Sequence, residues 1–135
     1  FFGSTEIFLD QARLIVSDPN LRVIVLRMRN ARNLDGTCAL AIGDLIRFAR
    51  EHHCEVVISG AHPEIARVLR GAGTMKVLGE ENFFLYVEEN PTLSTRNALK
   101  RAQEITGQKS ANIKLFAREK ASEEDREDAE ETQRD

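Results

Sequence analysis

Tryptophan is absent from this chain, tyrosine occurs once, cysteine twice and proline three times in 135 residues. The two cysteines, Cys38 and Cys54, have no CxxC spacing. That argues against a redox motif or a thiolate metal cluster, and both read as reduced, partly buried thiols of a cytosolic protein. No apolar run reaches the ~18 residues that a membrane-spanning helix needs. No secretory signal is recognisable. No P-loop, dinucleotide fingerprint, Ser–His–Asp pattern or zinc spacing occurs, so neither an enzyme nor a cofactor is expected. The histidines His52, His53 and His62 do not form a metal motif. His52 and His53 are adjacent at a helix end, so their side chains diverge.

What is present fits one soluble domain. The hydrophobic share is 41% and the formal net charge −3. Charge is uneven. Residues 118–135 hold nine acids and four bases, a balance of −5, which leaves +2 for residues 1–117. The last stretch has almost nothing to bury beyond Ala121 and Ala129. We expect a domain over 1–107 and a charged, disordered tail over 108–135, with Lys114–Phe116 docking weakly. An acidic arm that touches a basic partner is the functional reading of that tail. The chain opens Phe-Phe without an initiator Met, so a piece of a longer protein is expected.

The body alternates between two periodicities. Phe1-Phe2 reads as a strand end, and Ser4 as the cap of a helix whose stripe is Phe8, Ala12, Ile15 and Val16. Ser17-Asp18-Pro19-Asn20 ends it. The run from Arg22 to Met28 fits a strand buried on both faces of a parallel sheet. A second helix, about 36–53, carries Cys38, Ile42, Leu45, Ile46 and Ala49 on one side. Glu55–Gly60 is a further strand. Pro63 opens a third helix with Ile65, Val68, Leu69 and Ala72, and Gly73 closes it. Met75–Gly79 is a connector with room for a short strand. Phe83–Val87 packs at a sheet edge, and a last helix covers about 92–106. This rhythm predicts an α/β fold with a mostly parallel central sheet of about four strands and helices packed on it.

Between the first full strand and the second helix lies Asn33-Leu-Asp-Gly-Thr-Cys-Ala39. A polar turn between a parallel strand and a helix N-terminus is where α/β domains bind anions and partners. Asp35, Gly36, Thr37 and Cys38 are therefore candidates for an anion-binding, nucleotide-binding or interaction turn, with Arg29 close by in sequence. Thr37 would accept a phosphate; the plainer reading is that Asp35 and Thr37 cap the helix. Arg27, Arg29 and Arg32 form a basic patch or, more plainly, a solvated strand end with ordinary ion pairs. No aromatic interleaving accompanies them, so no nucleic-acid polymer is expected as partner.

Several segments, taken in order, resemble the STAS domain, the fold named for sulfate transporters and anti-sigma factor antagonists. They are Phe1-Phe2-Gly3-Ser4, Val25-Leu26-Arg27-Met28-Arg29, Leu34-Asp35-Gly36-Thr37, Ser59-Gly60 with His62-Pro63 and Val68-Leu69, and Gly73 with Leu78-Gly79-Glu80-Glu81-Asn82-Phe83. The likeness covers about residues 1–106. The Phe-Phe-Gly-Ser entry and the Leu-Arg-Met-Arg strand favour the cytosolic C-terminal domain of bacterial SulP-type anion transporters. The resemblance implies a regulatory domain on the cytoplasmic face of an inner-membrane protein. Its implied partners are the transmembrane domain of the same transporter and a cytosolic regulatory protein or nucleotide, with homodimerisation through the full-length transporter. It also implies the alternative, a soluble antagonist-like switch gated by phosphorylation of Thr37. The family turn ordinarily carries Gly where Cys38 stands. The family also has one or two strands ahead of Phe1; without them the sheet is expected to show an open apolar edge.

Overall fold

The computed structural model describes residues 2–29, 31, 34–107 and 112–117, with the backbone alone for residues 2–6. Helix α1 (Phe2–Val16) leads to strand β1 (Val23–Arg27), helix α2 (Gly36–Glu51) and strand β2 (Glu55–Ala61). Helix α3 (Pro63–Gly71) and the short α4 (Thr74–Leu78) follow, then a 3₁₀ turn over Glu80–Asn82 and strand β3 (Phe83–Leu85). Helix α5 (Leu93–Thr106) and strand β4 (Ile113–Ala117) complete the order. The sheet runs β3-β2-β1-β4. Every pairing is parallel. The expected α/β architecture is the one observed.

Period two in the strands builds two unequal layers. On one face Ile24, Leu26, Val56 and Ile58 meet Phe8, Ala12 and Val16 of α1, Ile42, Leu45, Ile46 and Ala49 of α2, Ile65 and Leu69 of α3, and Leu78 of α4. On the other face Val23, Val25 and Val57 meet Ala98 and Ala102 of α5, flanked by Leu99, Ile105, Ile113 and Leu115. Buried on both faces, β1 needs the unbroken apolar run that its sequence provides.

The two ends of the chain depart from expectation in a linked way. The strand end read at Phe1-Phe2 is helical from Phe2 onward, and Ser4 lies inside the first turn rather than before it. Phe1 itself is outside the described residues. The place beside β1 is filled from the other end of the chain. Residues 113–117, assigned in sequence to a tail starting at 108, pair with β1 along its whole length, Val23 opposite Ile113 through Arg27 opposite Ala117. Ile113 and Leu115 pack toward α5, and Phe116 stacks on Phe8 with ring centroids 4.9 Å apart. Among the described residues β4 thus occupies the side of β1 away from β2, and β3 and β4 are the outer strands of the sheet. Residues 118–135 lie outside the described residues.

Two further differences are local. The connector read as a possible strand over 75–79 is helix α4, bracketed by Gly73 at φ 81° and Gly79 at φ 94°. Only glycine reaches both angles without strain. Thr74 fastens α4 to α2 by donating to the Ala39 carbonyl at 2.7 Å. At the end of α2, His53 takes φ 60°, the left-handed place that glycine usually fills after a helix.

Candidate functional site

The strands are all parallel, so their carboxyl ends lie together, and α2 and α3 begin there. That end of an α/β sheet is where loops carry function. The Asp35–Cys38 turn sits on it. Asp35 has extended backbone, φ −101° and ψ 175°, and its carboxylate accepts the Cys38 amide at 2.8 Å. This is an N-cap bond. It holds the Asp35 carboxyl below the usual aspartate range, with the Cys38 backbone amide as the chief cause. Capping therefore falls to Asp35. Thr37, one residue into α2, is exposed, as is Gly36. Leu40, on the next turn, is 58% exposed although large and apolar.

Cys38 is buried in the first turn of α2. Among the described residues only His53 has a positive φ without being glycine. The glycine that the family places at this position is thus not required for the turn seen here: Cys38 simply begins the helix. Cys54 is also buried and free, and burial followed by the Glu55 charge pushes its thiol up to about 12. Such a thiol stays protonated and unreactive at neutral pH.

Of the arginines expected as a basic patch or a solvated strand end, Arg27 is buried and Arg29 half-buried. Arg27 ends β1 and is 6% exposed. Directly across from it in the β1–β2 register is Ser59, fully buried. Arg29 lies one residue beyond Met28, whose amide donates to the Ser59 carbonyl at 2.8 Å. Its guanidinium lies over the Tyr86 ring, 4.9 Å from the centroid, and donates to the Tyr86 hydroxyl at 3.1 Å. His62, after β2, places Nε2 3.1 Å from the Arg29 carbonyl, and its ring centroid is 5.2 Å from that of Tyr86. A bond to a carbonyl fixes the proton on Nε2 and leaves Nδ1 as the basic atom in the neutral ring. The Tyr86 amide donates to the Ala61 carbonyl at 2.9 Å. Arg29, His62 and Tyr86 thus sit just beyond three neighbouring strands, β1, β2 and β3. At Gly60, φ 73°, an added Cβ would meet the Arg29 Cβ and amide at 3.5 Å. The left-handed backbone there lets β2 pass close to Arg29.

Sequence reading reached Arg29 and the turn, and missed the Arg29–His62–Tyr86 cluster. The signal was thin: one tyrosine at the end of an aromatic strand, and a histidine before Pro63. Arg32 is outside the described residues. His52 turns its Nδ1 to the Phe48 carbonyl at 2.9 Å, so the three histidines have three separate settings. Among the described residues, no three His, Cys, Asp or Glu side chains are placed to hold a metal ion. Nor is any helix there long and apolar enough to cross a membrane.

With this geometry in view, a comparison with family models finds the STAS domain over residues 1–90. The chain belongs to the STAS domain family. No curated protein and no solved structure matches it. Membership of the STAS family supports a general regulatory or interaction role.

Proposed function

We propose that this STAS domain is the cytosolic regulatory and interaction domain of a SulP-type sulfate or related anion transporter. It would dock on the membrane part or on a protein partner through the Asp35–Cys38 turn and the adjoining face of α2. The observation that carries this reading is the pairing of a rigidly capped turn with exposed groups: Asp35 fixes the backbone, while Gly36, Thr37 and Leu40 face outward. An exposed leucine beside a fixed polar turn has the make-up of a small docking surface, apolar centre with polar rim. The Leu-Arg-Met-Arg strand and the Phe-Phe-Gly-Ser entry support the transporter branch by resemblance. Cofactors are not needed for such a role.

The test is the stretch encoded ahead of Phe1. Several apolar segments of about 20 residues would support the transporter. A short polar start would refute it and favour the second reading, a soluble antagonist-like switch. One feature specifically favours that second reading. Thr37 is exposed, and capping is left to Asp35, so a kinase would meet a free-standing hydroxyl at a helix start. A phosphate there adds about −1.5 to −2 charges. Mass spectrometry of the protein from its native cell, across growth conditions, measures the occupancy of Thr37. Substantial occupancy supports the switch, and its absence leaves Thr37 as part of a constitutive docking turn.

A further inference from the structure

Two side-chain hydroxyls among the described residues are buried without a hydrogen-bond partner, those of Ser59 and Ser94. Ser59 is 0% exposed and Ser94 2%. A buried hydroxyl left unpaired is unfavourable, and native structures leave few of them.

The strand pleat and the helical repeat bring the two to one place. Val57 faces α5, and Ser59, two residues on, faces the same way. Ala98 and Ala102 are the deepest contacts of α5 on the sheet, and Ser94 lies one turn before Ala98 on that side. Helix α5 follows the carboxyl end of β3 and leads to the amino end of β4, so it runs against the strands. One helical turn, about 5.4 Å, nearly matches the ~6.6 Å of two strand residues. Ser94 therefore comes level with Ser59, at the carboxyl end of the sheet.

Ser94 also belongs to the start of a 14-residue helix. Thr92 makes no capping bond there; its hydroxyl donates to the Asn90 side chain at 3.4 Å. The Leu93 and Arg96 amides donate to the Asn90 and Thr92 carbonyls. The amides between them, of Ser94 and Thr95, have no such acceptor among the described residues. A helix start favours negative charge, and here two buried hydroxyls from two different elements face it. Arg27, buried opposite Ser59, has interactions of its own, so the donors on offer are the hydroxyls and the amides. Glu88 and Glu89, on the approach to α5, are exposed.

We infer that α5 begins on a small inorganic anion, a halide such as chloride, held by the Ser59 and Ser94 hydroxyls and the first amides of α5. The near-complete burial of both serines limits the ligand to a small ion. The bound ion ties α5 to β2. This site is on the opposite face of the sheet from α2, so it stands apart from the docking reading.

The test titrates sodium chloride into the full chain by amide NMR, with ionic strength held by sodium gluconate. The expected result is saturable shifts of the Ser59, Ser94 and Thr95 amides, with Gly36 and Thr37 at the start of α2 unmoved. Ser59→Ala and Ser94→Ala should each weaken chloride binding about tenfold, as loss of a hydrogen bond to a charged group does. Absence of saturable shifts overturns the inference, because water alone then serves the hydroxyls. Shifts that are equal at the two helix starts overturn it too, as do shifts that keep their affinity in both alanine variants. Should either variant fail to fold, a bromide-soaked crystal of the parent chain decides. An anomalous peak within hydrogen-bond reach of both hydroxyls supports the site, and its absence there overturns it.

Discussion

The two faces of the sheet are built on different principles. One carries four helices, with large side chains such as Leu26, Ile42, Leu45, Ile46, Ile58 and Leu69 fully buried between them and the strands. Among the described residues the other carries α5 alone, and its deepest helical contacts are two alanines, Ala98 and Ala102, against Val23, Val25 and Val57. Small residues let α5 lie close to the sheet, but they bury little area each. Hydrophobic stabilisation follows buried apolar area, at roughly 25 cal/mol per Å². The four-helix face should therefore hold the fold, while α5 and β4 form a lighter cover. The family match stops at residue 90, before α5 begins, so the lighter cover is also the part outside the matched span.

The sharpest test of that contrast is a pair of truncations. Leu45→Ala, on the four-helix face, should cost about 3 kcal/mol in urea unfolding, the middle of the range for buried leucines. Leu99→Ala, half-buried on the α5 face, should cost about half as much. Equal costs would break the comparison. A somewhat smaller effect is expected from overfilling the close contact. Ala98→Leu should destabilise by about 2 kcal/mol, and hydrogen exchange should speed up in α5 and β4 before it does in α2.

The turn proposed for docking gives weaker and more pointed effects. Asp35→Ala should lower the urea midpoint, and Thr37→Ala should leave it nearly unchanged, because only Asp35 caps α2. The Asp35 carboxyl is lowered in the folded state, so the folded state binds that proton less readily than the unfolded chain does. Its contribution is complete above the ordinary aspartate range and is lost as pH falls through the lower folded value. The gap between the parent chain and Asp35→Ala should therefore be full at pH 7 and close only in strong acid. A gap that persists undiminished through strong acid would contradict the cap. At the other end of α2, His53→Gly should stabilise by about 1 kcal/mol, since His53 sits at φ 60° where a side chain is unfavourable. A loss of stability there would show that the His53 side chain has a role of its own.

The same contrast explains what the sequence disclosed. The four-helix face was legible because its helices repeat apolar residues at helical spacing and β1 and β2 are unbroken apolar runs. The turn was legible because a capping aspartate stands directly before an amphipathic helix. The position of β4 was not. Ile113–Ala117 is one short apolar stretch beside a highly charged segment, and local pattern cannot say which edge a distant strand will join. Helix α4 was hidden because five residues between two glycines carry too little periodicity. The Arg29–His62–Tyr86 cluster joins residues 57 positions apart, and only the register of three strands brings them together.

The central claim is that the domain works through the turn that opens α2. A photo-crosslinking residue at Thr37 in the full-length protein, in its native membrane or cell, tests it directly, with the same probe at exposed Glu104 on the α5 side as reference. The account predicts a defined crosslinked peptide from Thr37, in a membrane segment of the same polypeptide or in one protein partner, and none from Glu104. Equal or no crosslinking from the two positions would contradict it.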